Sequence, residues 1–155
     1  MEMPKPTDEH RRLTRLAGTW EGEDTMHPSP FDPKGGKAKS RMTARMALGG
    51  FHLISDWQQE RDGRVNFEGH GVFGWDARGK CYTIHWFDSH GVEHGAPAFG
   101  TWDGDVLTLT HETTHMGHSR QVYEVRGDTC RLQLQYSQDG RQWGTFLESQ
   151  LRRVG

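Results

Sequence analysis

The residues with the most obvious chemical potential are His111-Glu112-Thr113-Thr114-His115, which match the H-E-x-x-H pattern of zinc proteases. That chemistry needs a helix, so that histidines at i and i+4 share one face. Here the pentad continues Val106-Leu107-Thr108-Leu109-Thr110, which alternates with period 2, and Gly117 follows closely. On an extended chain the two histidines stand roughly 13 Å apart, too far to share one zinc. The expectation is therefore a strand running into a turn, with no metal site.

The chain still carries ten histidines in 155 residues, several of them close in sequence at 85, 90, 94, 111, 115 and 118. Exposed turn residues, lumen-lining side chains and metal ligands are all open readings for them. No G-x-x-x-x-G-K, dinucleotide fingerprint, G-x-S-x-G or C-x-x-C motif occurs. Cys81 and Cys130 do not form a disulfide framework and read as small strand residues.

The elements that must position these groups are strands. Thr7 suits a helix N-cap, with Asp8 and Glu9 in the first turn, so a short helix is expected near 8–17, ended by Gly18. Period-2 segments then fall near 19–26, 39–48, 51–60, 66–75, 80–88, 93–101, 105–113, 118–125, 130–136 and 143–153. Gly49-Gly50, Asp62-Gly63, Asp103-Gly104, Gly127-Asp128 and Asp139-Gly140 are among the turns between them. Residues 1–6 are expected to be loose and 27–38, rich in proline and glycine, to form a long loop at one barrel mouth. Ten antiparallel strands in sequence order remove their edges by closing, so an all-β, up-and-down barrel of about ten strands in one domain is expected over an open sandwich.

Composition agrees with a partly polar interior. The hydrophobic fraction is 32% and mean hydropathy −0.88, yet six Trp, seven Phe and three Tyr supply large apolar side chains. The net charge of −2 gives no field for nucleic acid or anionic lipid, and no run approaches a membrane span. With no apolar stretch in the polar N-terminus, a cytoplasmic protein is the expectation. The expected partner is a small molecule, with a homo-oligomer also open.

Leu16-Ala17-Gly18-Thr19-Trp20-Glu21-Gly22, His85-Trp86-Phe87-Asp88 and His111-Glu112-Thr113-Thr114 resemble the bacterial domain of unknown function 1579 family over nearly the whole chain. That resemblance implies a calycin-like barrel and no established activity. Gly18-Thr19-Trp20 and Gly22 are also similar to nitrobindins, which are haem-binding barrels. Where those continue with glycines and Tyr-Pro, this chain has Glu23-Asp24-Thr25-Met26-His27-Pro28. By similarity to lipocalins, Trp20 closes the barrel base beneath a last-strand arginine, Arg152 or Arg153.

Parity nominates the lumen. Phe51, Leu53, Ser55 and Trp57 share a face, as do Tyr82, Ile84, Trp86 and Asp88, and Leu107, Leu109 and His111. If these point inward, Trp57, Trp86 and His111 face the cavity. The opposite face of the 80–88 strand is almost as apolar, so His85 stays a candidate. Arg120 inside would suit an anionic ligand group, and Tyr123 belongs to the alternative face of the same strand. The expected function is small-molecule binding in a His- and aromatic-lined cavity. The alternatives are an enzyme using His111 with Glu112 or Tyr123 as general acid–base, a haem or metal protein, and a module with a filled core.

Overall fold

Ten antiparallel strands close into one barrel, each hydrogen-bonded to its sequence neighbours, with the first paired to the last. They are β1 Gly18–Met26, β2 Gly36–Ala47, β3 His52–Arg61, β4 Arg64–Asp76, β5 Cys81–Asp88, β6 Ala98–Asp103, β7 Val106–Thr113, β8 Gly117–Arg126, β9 Thr129–Ser137 and β10 Gly144–Arg153. The computed structural model describes residues 1–30, 32–91, 96–113 and 117–155, with only the backbone of Glu112 and Thr113. The expectations for His94 and His115 lie outside the described residues. No described helix is long and apolar enough to cross a membrane.

Two strands depart from the expected boundaries by more than two residues. β6 begins at Ala98, because Pro97 has no N–H to give a ladder. β2 begins at Gly36, so the loop is 27–35; Lys37 pairs with Thr25 and donates to its hydroxyl at 2.7 Å.

The N-terminal segment seals one end. It is α1, Asp8–Arg11, continuing as a 3-10 turn over Arg12–Leu16. Leu13 and Leu16 are buried there against Trp20, Leu53, Phe73, Tyr82, Leu107, Leu109, Val125 and Leu151. The Tyr82 hydroxyl donates to the Glu9 carbonyl at 2.7 Å, tying the plug to β5. Burial, helped by Glu9, pushes that hydroxyl up to about 12, so it remains a donor.

Trp20 is fully buried and its indole N–H donates to the Leu16 carbonyl at 3.0 Å. Arg153, not Arg152, lies over its ring at 4.3 Å and also donates to the carbonyls of Ala17 and Arg15. Arg152 is exposed opposite Glu21. A second arginine repeats the arrangement, with Arg15 lying 4.4 Å over Trp102 and donating to Asp105 and to the Val125 carbonyl. Gly22 has a steric role in this closure. A Cβ there would stand 1.7 Å from the Gln150 carbonyl oxygen of β10. The Gly-x-Trp-x-Gly motif thus marks where the last strand meets the first.

Two outcomes follow. Trp20→Ala removes a fully buried indole and should cost about 3–5 kcal/mol in chemical denaturation; a loss below about 1 kcal/mol would show that the base does not depend on it. His10 is buried at the helix start, where its Nδ1 accepts the Thr7 N–H at 3.0 Å. Burial first, then His52 and Arg11, hold its pKa below 6.5. The unfolded chain therefore takes up this proton before the folded one. The stability it contributes is fully present above about pH 6.5 and lost as pH falls through the lowered value. Denaturation midpoints should fall between pH 7.5 and 5.5, and fall less in His10→Gln.

Candidate ligand cavity

Above the sealed base the lumen is hollow, with a cavity of about 600 Å³ toward the end that carries the 27–35, 89–97 and 138–143 connections. Its apolar lining comes from Met26, Met42, Leu132, Leu134, Phe146 and Leu147. Phe146 and Leu147 both reach it because the β9–β10 register shifts between Thr145 and Leu147.

One wall is aromatic. Trp57 and Trp86 project inward from β3 and β5, on either side of β4. Phe67 stacks on Trp86 with centroids 6.5 Å apart and 17° between planes, and His90 leans on Phe67 at 5.0 Å. β4 accommodates the indole by presenting glycine. A Cβ on Gly69 would stand 2.1 Å from Trp86 Cζ2. Asp88 fixes the ring, accepting from Trp86 Nε1 and from the His90 N–H, both at 2.9 Å.

A polar network adjoins this wall, running from β1 through β2 and β3 to β4. Asp24, on the inward face of β1 with Trp20 and Gly22, is fully buried. Its carboxylate accepts from Ser149 Oγ at 2.5 Å, from Gln59 Nε2 at 2.6 Å and from Ser40 Oγ. Gln59 in turn accepts from Asn66 Nδ2 at 3.0 Å, at the rim. Sequence reasoning passed over this network. Its one visible signal is an acid in the inward parity of Trp20, Gly22 and Met26. Tyr123 donates to Gln121 Oε1 at 2.7 Å, and burial pushes its pKa far above the usual value.

The nominated residues separate as follows. Trp57, Trp86 and Tyr123 line the cavity. His85 does not: it is exposed on the outer face of β5, opposite Val72. The apolar character of its neighbours reflects exposed Phe87, not a core face. Arg120 touches the cavity wall, but its register partner is Gln135, on the face opposite Gln121 and Tyr123. Its guanidinium donates to Gln135 Oε1 at 2.6 Å and stacks 4.0 Å over Trp143, so it does not offer an anion anchor in the lumen.

His111 continues the inward parity of Leu107 and Leu109 and stands opposite Ser119, half-buried on extended backbone. It is not part of the cavity wall described above. Four positions along the ladder separate it from the Tyr123 level, roughly 13 Å, so the two do not share a proton. The side chain of Glu112 lies outside the described residues. Cys130 is buried and its thiol is pushed up to about 12, which makes it a packing residue and not a nucleophile.

Haem needs an axial side chain aimed at its iron. The histidine in the described cavity wall is His90, exposed and leaning on Phe67. Among the described residues, no three His, Cys, Asp or Glu side chains converge as metal ligands.

A depression of similar volume lies on the outer face of β2 to β5, between Arg41, Asp56, Glu68, His70 and Phe87. It is open to solvent, and its His70–Asp56 pair at 2.7 Å is exposed. The lumen, walled on all sides by strands, is the stronger candidate.

The fold and cavity define a closed ten-stranded barrel with a sealed base and a hollow upper half. A family model described as protein of unknown function (DUF1579) matches residues 5–153, and the chain belongs to that family. It is also similar in fold to the crystal structure of Rv2717c from M. tuberculosis. The TM-score is 0.73 at 18% identity, covering 96% of this chain and 99% of that one. No functionally curated protein matches.

Gly69→Val should test the aromatic wall. Its side chain must displace the Trp86 indole, at a cost of about 1–3 kcal/mol. The near-ultraviolet circular dichroism should change while the far-ultraviolet spectrum keeps its β form. An unchanged near-ultraviolet spectrum would mean that the indole does not rest on Gly69.

Proposed function

We propose that this chain is a calycin-like, lipocalin-like binding protein that reversibly holds a small aromatic or amphipathic molecule in its lumen. The observation that carries this reading is the half-filled barrel. A cavity of about 600 Å³ combines an indole wall and apolar side chains with a polar rim. That size suits a drug-sized ligand, as does an apolar lining with a few placed polar groups. The two free thiols fit a reducing, cytoplasmic setting. Acid–base catalysis has less support, because His111 and Tyr123 stand apart and Tyr123 keeps its proton.

Native mass spectrometry of freshly purified protein, with Nile red as an uncharged probe, tests the proposal. The expected results are a co-purifying small molecule or, in stripped protein, Nile red binding that quenches tryptophan fluorescence. Trp57→Ala should weaken Nile red about tenfold, the worth of one good aromatic contact. Protein that carries nothing, and neither binds nor responds to Nile red, would leave the barrel as a structural module.

A further inference from the structure

Two amides at the cavity have their orientation set by their neighbours. A carboxylate only accepts, so Asp24 turns Gln59 Nε2 toward itself, at 2.6 Å. Gln59 Oε1 then accepts from Asn66 Nδ2 at 3.0 Å, and Asn66 Oδ1 is turned away as an acceptor. From β8, Tyr123 donates to Gln121 Oε1 at 2.7 Å, which leaves Gln121 Nε2 as a donor. Both residues line the cavity.

The charged wall residues are committed elsewhere. Arg61 pairs with Asp32 at 2.9 Å and donates to the Gly35 carbonyl. Arg120 is taken by Gln135 and Trp143. Asp88 accepts two N–H groups of its own strand end and turn. Beside these amides stand the parallel rings of Trp86 and Phe67.

Resting on the lumen as the binding site, we infer that its occupant is an uncharged planar ring compound carrying both a hydrogen-bond donor and an acceptor, read by Asn66 and Gln121. Stacking supplies affinity without regard to substituents. The two amides, Gln121 half-buried and Asn66 at the rim, supply the discrimination, because each presents one set hydrogen-bonding atom that a mismatched ligand leaves unpaired. Asp24 is a positioning residue. It does not touch the ligand, but it decides which atom Asn66 presents.

Calorimetric titration with four probes tests the inference. 2-Quinolone is planar and uncharged, with an N–H and a C=O. N-methyl-2-quinolone lacks the donor, 2-naphthoate is a planar anion and N-methylquinolinium a planar cation. The wild-type protein should bind 2-quinolone at least tenfold more tightly than each of the others. Gln121→Met removes the group that donates to the carbonyl the two quinolones share, so it should weaken both about tenfold while leaving 2-naphthoate within twofold. Asp24→Asn, whose amide can turn either way, should narrow the gap between the two quinolones. Should that variant fail to fold, Gln121→Met decides alone. Tightest binding by either ion, or equal binding of the two quinolones, overturns the ligand class. If Nile red still enters the lumen, the binding reading survives that outcome. If neither Nile red nor any of the four probes binds, both readings fall.

Discussion

The structure depends on sealing one end of a barrel that is too wide to fill itself. Eight strands enclose about as much space as inward side chains can occupy, and ten enclose more. The surplus at the base is taken up by the N-terminal segment, through Leu13 and Leu16, and by Trp20. Arg153 holds that arrangement together. It caps the indole, satisfies carbonyls at the end of the helical segment and ion-pairs with Asp128 in the β8–β9 turn. Because the base is dense, the mouth half does not need to be. The hollow is a consequence of the plug's length, which reaches only partway up the lumen.

The mouth half trades strand stability for shape. Glycines at 69 and 71 weaken β4 intrinsically, yet they let Trp86 lie against the sheet. A buried carboxylate at Asp24 carries a desolvation cost that three hydrogen bonds must offset. Its gain is directional, because an acceptor-only group sets the sense of every hydrogen bond that follows it. An apolar residue at 24 would pack as well but would leave Gln59 free to turn over.

Most of the fold was legible because barrel strands alternate so regularly. Trp57, Leu107 and Leu109 are buried on the faces that period 2 alone expects. Parity failed where it lacked contrast. β5 has an exposed Phe87 beside His85, so its two faces look equally apolar. In β8 the polar residues fall on both faces, and only pairing with Leu132 and Leu134 marks Gln121 and Tyr123 as inward. The Asp24 network was out of reach for another reason. Its members come from positions 24, 40, 59 and 149, and closure of the first strand on the last is what brings Asp24 to Ser149.

That division also governs what a sequence match can say about this barrel. Gly18, Trp20 and Gly22 all serve the closure: Gly18 opens β1 at a φ of 126°, Trp20 plugs the base and Gly22 admits the β10 backbone. None of the three lines the cavity. A motif built from them reports that the barrel shuts, and reports nothing about its contents. The fold likeness at 18% identity is of the same kind. The residues with information about the occupant are those freed from sealing the base, chiefly Trp57, Asn66, Trp86 and Gln121. These stand on four strands and carry no shared local spacing. Function in such a barrel is therefore written in register pairs across the sheet rather than in contiguous motifs. The contiguous H-E-x-x-H match illustrates the point, because its first three residues are extended strand and not the helix that zinc ligation at that spacing requires.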